Sequence, residues 1–285
     1  NYSKTSQVAI IVFGIIFFPL LAYSIYIYGN IIGLALALTS LKYLYIFFSS
    51  WKYRYAIVST ICIATAMCIK SHYQIYFVAI FLYTLLKIIT LHNKGRSLCF
   101  IFFLCTGFIL QAKLPTIIEE RITGYKLNNS TSSWAWIAMG LQDGPLAPGW
   151  WNGYLHKVEK EGEFCVKKET ELSKDSIRTS ITHFAKEPYY AFNFFTKKLA
   201  STWTNPSWQC FVMVNHGSHI ELPVWYNSLI HYRGQHTVIF FFNIFIIYIF
   251  LGCLVEVILN WEKSNFVDTL LIPMIFVGGF LFLLT

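Results

Sequence analysis

No acidic residue precedes Glu119, so the N-terminal part of the chain has no carboxylate to act as a general base. Charge of either sign is scarce. Asp, Glu, Lys and Arg make up 13% of the residues against 56% hydrophobic ones, and the mean hydropathy is +0.52. That composition excludes a soluble domain of this size. No Cys/His group has zinc-ligand spacing, and neither a metal nor a cofactor is expected. His183, His216 and His219 have no matching carboxylate or serine, which argues against a hydrolase triad. No basic leader with a small-residue cleavage site is present, so the first apolar stretch reads as a span and not a signal peptide. The chain opens at Asn1, has its first methionine at Met67 and stops at Thr285 within an apolar run. The expectation is a piece of a longer polytopic protein, missing helices at both ends.

What the chain does have is apolar runs long enough for a bilayer, where about 20 helical residues are needed. Spans are expected near Gln7–Tyr28, Ile31–Ser50, Tyr55–Ile69, Ile75–Leu91, Leu98–Ala112, Thr237–Leu259 and Phe266–Thr285. The third and fifth are short. The fold class is thus an all-α polytopic membrane protein of about seven transmembrane helices. Its organisation is a helix bundle over 1–112, a large loop domain over 113–235 and C-terminal spans over 236–285. Lys4, Lys52 with Arg54, Lys94 with Arg96, and Lys263 fall in alternate loops, which marks those loops as cytoplasmic and the large insert as extracytoplasmic. The insert holds 13 Lys/Arg and 11 Asp/Glu. Most of the formal +8 therefore belongs to the membrane part and follows from topology, and nucleic acid is not an expected partner.

Five of the seven cysteines lie in spans, where they serve as small packing residues; Cys165 and Cys210 lie in the insert, where a disulfide between them is one option. The insert also carries seven of the nine tryptophans. Its Pro115–Lys126 stretch can form a short helix. The run from Trp134 to Tyr154 is punctuated by Gly and Pro and reads as loop or broken helix. Trp134, Trp136, Trp150 and Trp151 beside Asn152 and Asp143 suit a sugar or glycan acceptor, with rings on apolar faces and amide and carboxylate on hydroxyls. An interfacial aromatic belt accounts for the tryptophans equally well. Further on, Ser173 or Asp175 can cap a helix bearing Ile177, Ile181 and Phe184 on one face. Pro188 opens a second helix through Trp203, with the stripe Phe192, Phe195, Leu199 and Trp203. Such a helix lies along the membrane surface or packs within the external domain. On the same outer side, Lys70, His72 and Tyr73 sit between the third and fourth spans. Cationic donors there suit an anion such as a lipid phosphate; snorkelling of Lys70 to headgroups is the plainer account. Gly29 and Asn30 read as a turn.

Four stretches carry a family likeness: Phe18-Pro19 followed by Tyr28-Gly-Asn-Ile-Ile-Gly33; Ile69-Lys-Ser-His-Tyr73; Met139-Gly-Leu141; and Ile177 to Pro206, with Lys186-Glu-Pro-Tyr-Tyr-Ala191 and Trp203-Thr-Asn-Pro206. In these the chain resembles bacterial integral-membrane glycosyltransferases of the C-type superfamily, akin to the protein O-mannosyltransferase and aminoarabinose-transferase families. The resemblance implies inverting transfer of a hexose or pentose from a polyprenyl-phosphate-sugar donor to an extracytoplasmic glycan, lipid or protein. It implies a donor-phosphate role for Lys70. It also implies a catalytic carboxylate in a first external loop, which this chain lacks; the base is then expected upstream of Asn1. The alternative is a flippase, exporter or polymerase for lipid-linked sugars. Transporters place polar groups at mid-bilayer, whereas Lys42, Lys87 and Glu256 lie near the cytoplasmic side. A non-catalytic membrane scaffold is a third reading.

Overall fold

The computed structural model describes residues 4–16, 29–90, 94–124, 131–145, 147–204, 223–224, 227, 233–260 and 266–284. Among them the regular structure is all helical. Two compact units share the chain, Asn1–Ala112 with Thr204–Gly278, and Lys113–Trp203 with Gly279–Thr285.

The first unit contains α1 (Lys4–Ile16), α2 (Asn30–Ser50), α3 (Tyr53–Ile69), a 3₁₀ turn (Ser71–Tyr73) and α4 (Gln74–Thr90). It also holds most of α5 (Lys94–Thr123). Its centre is the antiparallel pair α2 and α3. The buried residues of α2 are Gly33, Ala37, Ser40, Leu44 and Phe47, and those of α3 are Ala56, Ser59, Thr60, Ile63, Ala66 and Met67. Spacings of three and four put each set on one helical face, and the small side chains let the backbones approach closely, as helix pairs do where lipid supplies no hydrophobic drive. Ser40 Oγ donates to the Ser59 carbonyl at 2.9 Å, and Ser59 Oγ donates back to the Ser40 carbonyl at 3.0 Å. At the other end of this pair Trp51 takes a left-handed conformation, φ 54°, and returns its N–H to Phe47 O. Its ring packs edge-on against Phe47 and Phe48 beside Phe100. Arg54 lies over the Tyr55 ring and Lys42 over Tyr43, so basic and aromatic groups share this end of the bundle.

Chain order then gives α6 (Ser133–Gly140), α7 (Tyr154–Glu161), α8 (Val166–Lys186) and α9 (Pro188–Trp203) in the second unit, followed by α10 (Arg233–Asn260), α11 (Phe266–Thr269) and α12 (Leu271–Leu284). Among the described residues, four stretches are long and apolar enough to cross a membrane: Asn30–Ser50, Ser71–Thr90, Lys94–Thr123 and His236–Leu259. Tyr53–Ile69 and Val267–Gly279 are apolar but shorter. Of the expected first span, residues 17–28 lie outside the described residues.

Several element expectations change. The helix expected to start at Pro115 is the continuation of α5, with Pro115 inside it. Proline has no N–H for the carbonyl four residues back, and the Cys68 thiol donates to that Gln111 carbonyl at 3.8 Å. The helix bearing Ile177 begins at Val166, capped by Cys165, and Ser173 is fully buried in its middle. Neither Ser173 nor Asp175 is a cap. On α9 the buried residues are Phe194 and Lys198, and Phe192 of the expected stripe is exposed. Cys165 is a free, exposed thiol; Cys210, His216 and His219 lie outside the described residues.

Candidate functional site

In the second unit, Ala135 and Met139 of α6 pack on Tyr154, Leu155 and Val158 of α7, forming a small core. Polar groups fasten α8, and the segment that leads into α6, to it. Ser132 Oγ and Thr170 Oγ1 share a hydrogen bond of 2.7 Å, the Ser132 N–H points to Glu169 Oε2 at 3.4 Å, and Thr131 Oγ1 donates to Glu159 Oε1 at 2.7 Å. The run expected to be a broken helix is α6 followed by the turns of 141–153.

Those turns are held by glycine geometry and by a lysine. Gly149 has φ +76°, and a Cβ there would stand 2.8 Å from Gly140 O and 2.6 Å from Lys198 Cε. Its N–H donates to Gln142 O at 2.8 Å, closing the loop. Lys198 reaches in from α9, 5% exposed, and its ammonium donates to Gly140 O at 2.6 Å. Gly140 ends α6, so this carbonyl is one of the acceptors a helix leaves open at its negative end, where a cation is favoured. Burial pushes the Lys198 amine down to about 8. One turn along α9, Ser201 Oγ accepts from Trp150 Nε1 at 2.9 Å.

The result is a cleft of about 670 Å³ lined by Gln142, Asp143, Asn152, Tyr154, Lys157 and Glu161, with Pro145, Gly153, Leu172 and Ser176 completing its walls. Its polar groups are pre-oriented. Asn152 Nδ2 donates to Gln142 Oε1 at 3.1 Å and to the Asp143 carbonyl at 3.3 Å, while Asn152 Oδ1 accepts the Tyr154 N–H at 2.9 Å and so starts α7. Gln142 Nε2 donates to Ser176 Oγ at 2.9 Å. The Tyr190 phenol donates to Asp143 Oδ2 at 2.5 Å. Burial, then the Asp143 hydrogen bond, pushes that phenol up to about 12, so it stays a donor. Lys157 and Glu161 face each other at 3.8 Å. A pocket of this size with several fixed amides, a carboxylate and a cation suits a small polyhydroxylated or polar ligand.

The structure thus brings Asp143 and Asn152 together and adds Gln142, Tyr190 and Ser176. The tryptophans stand elsewhere: Trp134, Trp136 and Trp151 are exposed, with Lys174 over the Trp134 ring and Trp151 edge-on to His156. None of the four is a wall of the cleft. Its apolar contribution comes from Tyr154, Pro145 and Leu172. Tyr190 and Gln142 were visible in the sequence only as members of longer runs, because the bond from Tyr190 spans 47 residues.

In the first unit, Lys70, His72 and Tyr73 fall at the turn between α3 and α4. Lys70 is half-buried, and its ammonium donates to Asn30 Oδ1 at 2.8 Å. Burial pushes this amine down to about 8. Tyr73 is 3% exposed, donates to the Asn30 carbonyl and lays its ring where a Gly33 side chain would be. Its phenol is thereby committed to packing. The His72 ring leans against it, tilted by 41° at 4.3 Å between centroids. Gly29, φ +73°, starts α2, so the Lys70 ammonium lies beside a helix N-terminus. Both carry positive charge. Among the described residues no group of His, Cys, Asp and Glu could hold a metal ion.

No protein family, curated protein or solved structure matches the chain.

Proposed function

We propose that this chain belongs to a membrane glycosyltransferase that moves a sugar from a polyprenyl-phosphate-linked donor to an extracytoplasmic glycan, lipid or protein. In this reading the chain crosses the bilayer about seven times, with residues 113–235 outside. The observation that carries it is the cleft around Asp143, whose carboxylate and amides are fixed by their own hydrogen bonds, in a chain that also has helices long and apolar enough to cross a membrane. Fixed acceptors and donors of this kind recognise sugar hydroxyls at little ordering cost. The Lys70 ammonium beside the α2 N-terminus supports a donor-phosphate role, since both favour an anion.

An exporter for lipid-linked sugars is the second reading. The ion pair between Lys87 and Asp268, 2.7 Å, is the feature that would serve it. Lys87 lies in the last turn of α4, away from the mid-helix position a transport site would occupy, which favours the transferase.

The test is donor-dependent transfer by the full-length protein in proteoliposomes. Asp143→Asn lowers acceptor use, raising the acceptor KM about tenfold for one lost charge-assisted bond. Lys70→Met weakens apparent donor affinity about 10- to 100-fold, as expected for a bond of about 1.5–3 kcal/mol. Normal kinetics in both folded variants would discard both assignments, and movement of unmodified donor across the bilayer without transfer would favour the exporter.

A further inference from the structure

The α8–α9 corner turns its two helices toward each other through aromatic rings. Phe184 lies 5.0 Å from Phe194, 5.2 Å from Phe195 and 5.9 Å from Tyr190, and His183 lies 4.6 Å from Tyr190. Tyr190, Phe194 and Lys198 recur every four residues, so they define the inward face of α9. Tyr189 and Phe192, three apart, fall on the opposite face with Thr196. There they are 80% and 68% exposed. Two large aromatics left this open on one helix face call for a covering partner.

The charges say which. Helix α9 contains no acid and its Lys197 is exposed; before its first residue stand Lys186, exposed, and Glu187, whose carboxylate lies 3.8 Å from His183 Nδ1. A protein partner would need acidic groups matched to those positions, whereas a bilayer with anionic headgroups meets lysines beside inserted aromatics without further design. Tyrosine also suits the interface, its ring in the acyl boundary and its hydroxyl in water. The unit that carries α9 begins at Lys113, inside a helix long and apolar enough to cross a membrane, so a bilayer is tethered to it by the chain itself.

We propose that the Tyr189–Phe192 face of α9 docks on the surface of an anionic lipid bilayer. This inference is independent of any sugar chemistry. In the full chain, reconstituted into vesicles of zwitterionic and anionic phospholipid, p-benzoylphenylalanine replaces Tyr189 or Phe192, which keeps an aromatic at each site. Arg178, exposed on α8, is the water-facing control, and Phe241, exposed in a candidate span, is the lipid-facing one. After irradiation, mass spectrometry should find phospholipid adducts at 189 and 192 several-fold above position 178. The anionic share of those adducts should fall in the Lys186→Gln/Lys197→Gln double variant. Adduct yields no higher than at 178 would overturn the proposal. So would crosslinks from 189 or 192 to another segment or a second copy in place of lipid, or an anionic share unmoved by removing both lysines.

Discussion

Lys198 shows how much one buried side chain can organise. Its stem crosses Gly149 and its ammonium caps α6, so one buried cation braces the turns that present Gln142, Asp143 and Asn152. Because burial lowers its folded-state pKa to about 8 from an ordinary 10.5, the unfolded chain holds this proton to higher pH than the folded one. Stability from this group therefore rises as pH climbs from about 8 to about 10.5, by at most about 3 kcal/mol at about 1.4 kcal/mol per unit. Lys198→Met removes that gain. Unfolding of wild type and variant, followed by hydrogen exchange in residues 131–204, should show the cost of the substitution growing over this window; a cost independent of pH would mean that the amine is not desolvated. Gly149→Ala tests the same strap from the other side. The left-handed backbone and the 2.8 Å approach to the Gly140 carbonyl oxygen leave no room for a methyl, and a loss of about 1–3 kcal/mol is expected. Both should raise exchange in 141–153 before the rest of the unit.

At the scale of elements, the α2–α3 pair is the most extensive helix contact among the described residues of the first unit. Ser40 and Ser59, both fully buried, satisfy each other's backbone carbonyls. Ser40→Leu should break that reciprocity and overpack the crossing, at a combined cost of about 2–4 kcal/mol, read as loss of the thermal transition in detergent. Ser40→Ala, which loses only the bonds, should cost about 1 kcal/mol. Equal effects from the two would mean that close backbone approach matters little. The interruption by Pro115 was legible in the sequence as a helix start, since proline favours the first turn. That reading fails because the segment before it is already helical and its freed Gln111 carbonyl has the Cys68 thiol to turn to. The caps proposed at Ser173 and Asp175 fail for a related reason. The buried face of α8 runs through Glu169 and Ser173, and a polar inward stripe does not register as amphipathic periodicity.

For the whole molecule, orientation rests on the alternation of basic loops. In a cysteine-free background, an impermeant thiol reagent applied from outside should label Lys160→Cys and miss Tyr53→Cys and Lys94→Cys, all three sites being exposed on their helices. The reverse pattern would invert the topology and remove the transferase reading with it. Composition alone pointed to helices of span length, and among the described residues four helices are long and apolar enough to cross a membrane. Apolar runs placed α2, α3 and α4 to within a few residues, and Pro188 marked the start of α9; the face α9 buries, Phe194 with Lys198, is not the expected stripe. Asp143 and Asn152 were legible as a polar pair in an aromatic run. Their partners were not. The bond from Tyr190 to Asp143, the cap of Lys198 on Gly140 and the seat of Ser176 on Gln142 link residues 47, 58 and 34 positions apart. No local pattern encodes such a separation. The exposure of Trp134 and Trp136 was likewise a tertiary decision: the small core of α6 and α7 is filled by Ala135, Met139, Leu155 and Val158, which leaves the rings of α6 facing out.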